Sequence, residues 1–537
     1  MSTVGTDPAV FLEALTGWAI PVVSLKLAAV VVFIATVCSI APFFFRKNIV
    51  DKDGNTIPPG PLLRYAFLRK YPERVLQTWT KQFGPIFSLF LGNQLFVVVS
   101  DPLIARDLLV KNGSIFSSRK EYFLKNQTIL HGRAITASKY DDRWRQHRKI
   151  AVSLLTPKAI EGYAHVLDYE AHILIKSLYH ESGSGLHPVN PAHFAGRYAL
   201  NNMLTVSFAT RTDSTSDPLV ERALALATEF MHLTGPFANI VDFITPLQWL
   251  PTTTRARGRA LHSGIMEVYG AMIERVRARL DRGEDVPDCL VKTLILDQEK
   301  EKLDWEDLCM LSAVFTLGGV HSTAGVIQWF LALICAYPDI QARAHAELDA
   351  VVGRDCWPSA DDEPRLPYIR AIIKEVQRAH APFWMATPHY STEDFVYNGM
   401  YLPKNTAVVL NCYGLHHNEA RYPDAKKFDP ERYFGDELSC AESSKLGDPL
   451  QRDHWAFGAG EVFPDDVAER ELWLAISRLL WAFEIEPVPG EPISLEEYEG
   501  QSGRSPLPYR VRLIPRHGRV SSLLDAEDEV KLLNLRA

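Results

Sequence analysis

The stretch Trp455–Arg470, WAFGAGEVFPDDVAER, decides the fold. It is a glycine-punctuated loop, Phe457-Gly458-Ala459-Gly460, that runs into a helix opening on Ala468-Glu469-Arg470 and extending from Val467 to Phe483. Upstream stand Phe428-Asp-Pro-Glu-Arg432-Tyr and, before it, a helical segment from Leu366 to His380. In that segment Glu375 and Arg378 are three residues apart and so share a face, where carboxylate and guanidinium can pair. Such a pair is weak evidence alone, because a solvated helical ion pair explains most of them. The order of the three stretches carries the weight.

Working outward, the 537 residues are 47% hydrophobic, enough to bury a large core. The formal net charge of -8, with 23% charged residues, supplies no global basic field and argues against a nucleic-acid partner. Cys38, Cys289, Cys309, Cys335, Cys356, Cys412 and Cys440 are odd in number, scattered, and free of any CxxC pair. They read as a reduced, cytosol-facing protein without a disulfide framework or structural zinc.

Leu27 to Phe45 runs 19 residues without a charge. At ~1.5 Å per residue that is a helix of about 28 Å, long enough to cross the hydrocarbon core. Arg46 and Lys47 follow it at once, which places the rest of the chain in the cytosol. The bulky Phe43, Phe44 and Phe45 stand where a cleaved signal would have small residues. The expected organisation is a lumenal N-terminus (1-26), a transmembrane helix (27-45), a polar linker stiffened by Pro58-Pro59-Gly60-Pro61 (46-61), and one domain over 62-537.

Within that domain a hairpin is expected from Phe87 to Val99 around Gly92-Asn93, followed by a helix opening at Asp101-Pro102. Helices are predicted near Leu219 to Leu233, Ala260 to Leu280 and Asp307 to Tyr337. Strand signals return around Asn398-Gly399, at Ala407 to Leu410 and at Tyr509 to Ile514. The fold class is therefore mainly α, a helical body with a small β-rich region supplied by both ends of the chain.

Together with the proline strut and Trp144-Arg-Gln-His-Arg148, this series of motifs resembles the cytochrome P450 family over nearly the whole chain, most closely its microsomal fungal members. The resemblance implies a haem cofactor and NADPH-cytochrome P450 reductase as electron donor. It also implies an endoplasmic reticulum membrane location and oxygen insertion into a small lipophilic metabolite of secondary metabolism. It implies that Glu375, Arg378 and Arg432 form a buried structural triad, and that Trp144, Arg148 and His389 point donors at the haem propionates, with Phe457 and Gly460 in the haem loop. Buried propionates need such cationic or N–H partners to offset lost hydration.

Two departures stand against that pattern. The loop is about two residues short, and it places Phe463 at the iron-ligating cysteine and Asp465 at the glycine after it, with no arginine for the propionates. A phenyl ring has no lone pair for iron, whereas the family's thiolate donates the electron density that favours O–O cleavage. Glu461 adds a negative charge to the same loop. On the expected distal helix the run is Gly318-Gly319-Val320-His321-Ser322-Thr323, with His321 where the family carries an acid. His321 could then ligate iron from the distal side or serve as a general base, with Ser322 and Thr323 as polar partners.

Three functions follow: a member that keeps fold and pocket without oxygen activation, a working monooxygenase whose loop is misprinted through a sequence or splicing error, and a non-redox isomerase or cyclase reusing the pocket. The segments expected to line that pocket, Lys120 to Arg133 and Phe230 to Leu250, read as apolar and mixed, without a diagnostic charge.

Overall fold

The computed structural model describes residues 49–61, 68, 70–153, 156–459 and 466–526. The expected transmembrane helix (27–45) and the loop positions 460–465, which include Gly460 and Phe463, lie outside the described residues.

The helices that frame the interior are α1 (Asp142–Ser153), α2 (Pro157–Glu181), α3 (Ala192–Phe208), α4 (Pro218–Leu233), α5 (Thr253–Asp281), α6 (Trp305–Ala336), α7 (Pro367–Ala379) and α8 (Asp466–Ala482). The central one is α6. Its start is fixed by a reciprocal cap, in which the Asp304 carboxylate accepts from the Asp307 N–H and the Asp307 carboxylate from the Asp304 N–H. Among the described residues α6 is the one helix long and apolar enough to cross a membrane, but 72% of its apolar window is buried by its neighbours, so it is a core helix. Gly319 lets it approach α3: a Cβ there would lie 2.3 Å from Met203 Sδ. One apolar cluster joins α2, α3, α7 and α8 to the C-terminal half of α6, and a second joins α3, α4 and α5 to its N-terminal half.

A five-stranded sheet lies beside this body, built from β1 (Ile86–Leu91), β2 (Gln94–Val99), β3 (Ser118–Arg119), β4 (His389–Tyr390) and a further strand at Ala407–Leu410. The first two form the expected hairpin, with Leu91 opposite Gln94 and Gly92-Asn93 as the turn. Gly92 has φ +58°, and a Cβ there would collide with the Phe243 carbonyl, so glycine is required twice over. Strand β2 pairs in parallel with Ala407–Leu410, Phe96 opposite Ala407, which joins the two halves of the chain. A separate hairpin pairs Phe395–Tyr397 with Met400–Leu402 around Asn398-Gly399, and the terminal strand, Val511–Pro515, pairs with Phe483–Pro487.

The expected helices at 219–233, 260–280, 307–337, 366–380 and 467–483 are all present within a few residues, α5 extending to Thr253. Helices α2 and α3 are additions to the expected set.

Candidate functional site

A cavity of about 270 Å3 opens where these elements converge. Val314 and Gly318 of α6 line one side, Phe457, Gly458 and Ala459 another, and Phe230 and Met231 of α4 a third. Trp144 and Arg148 of α1, Arg119 and Lys125, and Phe383 with Met385 to His389 add to it.

The start of the Phe457 loop is rigidly held. The Trp455 N–H donates to His416 Nε2 (2.8 Å), and its carbonyl accepts from the Gly458 N–H (3.0 Å) and the Cys412 thiol (3.1 Å). One step back, His454 bonds the Asp453 carboxylate (2.7 Å) and the Lys374 carbonyl (2.9 Å), while Lys374 Nζ pairs with Asp453 at 3.0 Å. Burial opposes ionisation of Asp453, but His454, Lys374 and Ser443 together hold its carboxyl far below the ordinary carboxylate range.

Of the sequence-predicted residues, Trp144, Arg148, His389 and Phe457 all line this one cavity. The Trp144 indole N–H is used on the Ile135 carbonyl (2.7 Å), and the Arg148 guanidinium lies over the Trp144 ring at 5.2 Å. His389 is bonded through Nδ1 to the Phe116 carbonyl (2.7 Å), so that nitrogen carries the proton. Burial and nearby Arg119 push its pKa well down. His389 is therefore neutral at pH 7, and its Nε2 offers a lone pair where an N–H donor was expected.

Glu375, Arg378 and Arg432 are brought together behind the loop. Arg378 donates twice to the Glu375 carboxylate, 2.7 Å each, with both side chains fully buried, and its remaining nitrogen donates to the carbonyls of His416 and Ala425 (2.9 Å each). Arg432 Nε lies 3.5 Å from Glu375, while Arg432 donates to the Asp424 carbonyl at 3.0 Å.

The run on α6 diverges from the cavity. His321 lines a second cavity of about 230 Å3, with His193, His232, Gln328 and Glu499. Met231 lines both spaces, and its carbonyl accepts from the N–H groups of Gln501 and Ser502 (3.0 Å each), so it stands between them. Burial lowers the His321 pKa to about 4, and its Nε2 is 3.5 Å from the Ser505 hydroxyl. Ser322 donates back to the Gly318 carbonyl (2.9 Å), and Thr323 donates to the buried Glu471 carboxylate of α8 (2.9 Å). Thr323→Val is expected to cost about 1–3 kcal/mol by stripping a donor from a buried acceptor. Urea unfolding would register that loss, with ligand binding in the first cavity unchanged.

Two cationic residues escaped sequence reasoning. Arg119 sits opposite His389 in the sheet and donates to the Thr387 carbonyl (2.6 Å). Lys125 is buried in the Lys120 to Arg133 segment, so the charge missing from the sequence reading of the pocket is present after all. Away from the cavity, His131, His262 and Glu306 place potential ligand atoms within 4.8 Å of one another, but Arg133 (2.8 Å) and His131 (2.5 Å) already hold the Glu306 carboxylate in an ion network.

A buried helix over an apolar cavity, a glycine-punctuated loop beneath it and a buried Glu–Arg pair behind that loop form the scaffold of the haem monooxygenases. Comparison with known proteins agrees. A cytochrome P450 family model matches residues 57–513. The chain is 30% identical over 499 residues to the cytochrome P450 monooxygenase virE of Hypocrea virens, covering 88% of each chain. It is 31% identical over 467 residues to verL of Clonostachys rogersoniana (83% of this chain, 84% of the relative) and 28% identical over 512 residues to fogE of Aspergillus ruber (90% and 93%), both also cytochrome P450 monooxygenases. This chain belongs to the cytochrome P450 family.

The family implies haem, and the cavity suits it at the rim but not at the axis. Arg119 and Arg148 line the wall, and no carboxylate does among the described residues. The sequence, however, contains no cysteine after Cys440. Cys412 is hydrogen-bonded to the start of the loop, but burial raises its pKa to about 12, so it is a neutral thiol. Burial likewise pushes the Cys440 thiol far up. The residues present do not fit a thiolate-ligated haem.

Proposed function

We propose that this cytochrome P450 retains the family's membrane-anchored body and its pocket for a small lipophilic metabolite, but has lost thiolate-dependent oxygen activation. In this reading the 27–45 segment holds the protein in the endoplasmic reticulum membrane with the body in the cytosol, and the Pro58-Pro59-Gly60-Pro61 strut keeps that body close to the bilayer. The single observation behind it is the absence of any cysteine from Ala441 to the C-terminus in a chain that keeps a largely apolar cavity beside Phe457. Phe230, Met231, Phe383 and Phe457 would exclude water and hold the ligand by apolar contact, while Arg119 and Arg148 present the cationic wall.

A second reading is favoured by the buried Glu375–Arg378 pair and the ordered approach to Phe457, both of which an intact enzyme needs. In it the protein is a working monooxygenase fed by NADPH-cytochrome P450 reductase, and the printed loop is in error. Haem ligated by a cysteine would then supply the oxidising chemistry.

Resequencing the cDNA across Trp455 to Arg470, followed by an absorption spectrum of the reduced, carbon monoxide-exposed protein, separates the two. Loss of oxygen activation predicts that the loop is confirmed and no thiolate-type Soret band appears. A cysteine in the cDNA together with that band would establish the working enzyme.

A further inference from the structure

We propose that Lys125 makes the cavity selective for lipophilic anions: the metabolite held there carries a carboxylate, or a comparably acidic oxygen, that pairs with the Lys125 ammonium. This rests on the reading of the cavity as a metabolite site and names the ligand's chemical class.

Lys125 is 9% exposed and lies on the wide helical turn Phe123–Ile129, whose Leu124, Asn126, Thr128 and Ile129 are also buried. That turn is fixed in place. The Leu124 N–H donates to Asp242 (2.8 Å), and Asn126 accepts from the Tyr122 N–H (2.9 Å) and donates to the Ala137 carbonyl (2.7 Å). Gly258 of α5 presses so close that a Cβ there would lie 2.8 Å from Leu124 Cδ1. The Lys125 side chain is thus delivered to the cavity by a backbone with little freedom to carry it into solvent.

No hydrogen bond or ion pair reaches the ammonium among the described residues. Its neighbour is the face of Phe230, 5.8 Å away. The other cations on the wall have partners, Arg119 at the Thr387 carbonyl and Arg148 over Trp144, and no Asp or Glu lines the cavity among the described residues. Burial, with Arg119 adding repulsion, lowers the Lys125 pKa to about 8, which leaves it mostly protonated at neutral pH. A buried ammonium without a counter-ion is costly, and an anion brought in by the ligand offsets that cost.

That anion has two possible sources, a haem propionate or the metabolite. The metabolite is favoured because Lys125 faces Phe230 on α4, whereas the residues expected at the propionates stand on α1 and β4.

The test is equilibrium dialysis of the purified full-length chain, as wild type, Lys125→Met and Lys125→Arg, against naphthalene-2-carboxylate and its neutral amide, with haem content assayed in each. The wild type should prefer the carboxylate by roughly tenfold or more, as one charge-assisted hydrogen bond allows. Lys125→Met should lose the preference while binding the amide as before, and Lys125→Arg should keep part of it. Unchanged far-ultraviolet circular dichroism and thermal midpoint would show that the variants fold. Equal wild-type affinities for the two probes, or a preference that survives in Lys125→Met, would overturn the proposal. So would loss of haem in Lys125→Met with probe preference intact, since the counter-ion would then be a propionate. Binding of neither probe would overturn both this proposal and the metabolite-site reading beneath it.

Discussion

Replacing Glu375 by glutamine is expected to destabilise the folded chain by about 3–5 kcal/mol, the cost of breaking a buried ion pair by removing one partner. Arg378 has no exposed surface, and both of its bonds to Glu375 measure 2.7 Å. Burial works against its charge, and Glu375 more than compensates; a guanidinium does not deprotonate in proteins, so the charge stays when its partner is removed. Glutamine would leave that charge facing an amide and the carbonyls of His416 and Ala425. The Asp429 N–H, which donates to the same carboxylate at 2.9 Å, would lose strength too. Urea or thermal unfolding followed by circular dichroism reads the effect. The double replacement Glu375→Met with Arg378→Met should cost less than the sum of the single changes, because it removes both charges together. Additive losses would mean that the pair is not coupled.

Phe463→Cys alone is expected to leave the reduced, carbon monoxide-exposed protein without a thiolate-type Soret band. On the proposed reading the departure at this loop is threefold: the cysteine, the glycine after it and the arginine before it have no counterpart in Glu461–Asp465, and the loop is about two residues short. On that reading a thiol restored at one position would stand in a loop still about two residues short, and metal ligation tolerates little error in placement. Replacing Glu461 to Asp465 by a segment two residues longer that carries arginine, cysteine and glycine should produce the band, since the cavity above and the Trp455 anchor below are in place. A thiolate spectrum from the single substitution would show that the loop is functionally intact apart from one side chain.

The features legible in the sequence were those written locally. Gly92-Asn93 set the first hairpin and its register, and the three-residue spacing of Glu375 and Arg378 announced their pairing. Helix α3 escaped because almost every face of it is buried, which removes the polar and apolar contrast that periodicity detects. Two of its buried polar residues are bonded inside, Asn201 to Glu170 and Thr212, and Arg197 to the Thr212 carbonyl.

The α6 run misled for a geometric reason. Successive residues step about 100° around a helix, so Thr323 points well away from Gly318 and reaches α8. His321 ends on the far side of Met231. Lys125 was invisible because lysine is usually a surface residue; only the packing of α4 and α5 over the Phe123–Ile129 turn buries it.

The parallel pairing of Phe96–Val99 with Ala407–Leu410 also has a meaning in time. Some 310 residues separate the two strands, so at ~5–20 residues per second the ribosome needs about 15–60 s to make the second after the first. Through that interval the Phe-Val-Val-Val edge of the hairpin has no native neighbour. Sheets closed by such distant partners form slowly and stay open to aggregation until they close. The N-terminal quarter of this protein is therefore not a folding unit by itself. Its completion waits on the same C-terminal third that carries the Phe457 loop, and a nascent chain cut short before Ala407 would leave that strand edge uncovered.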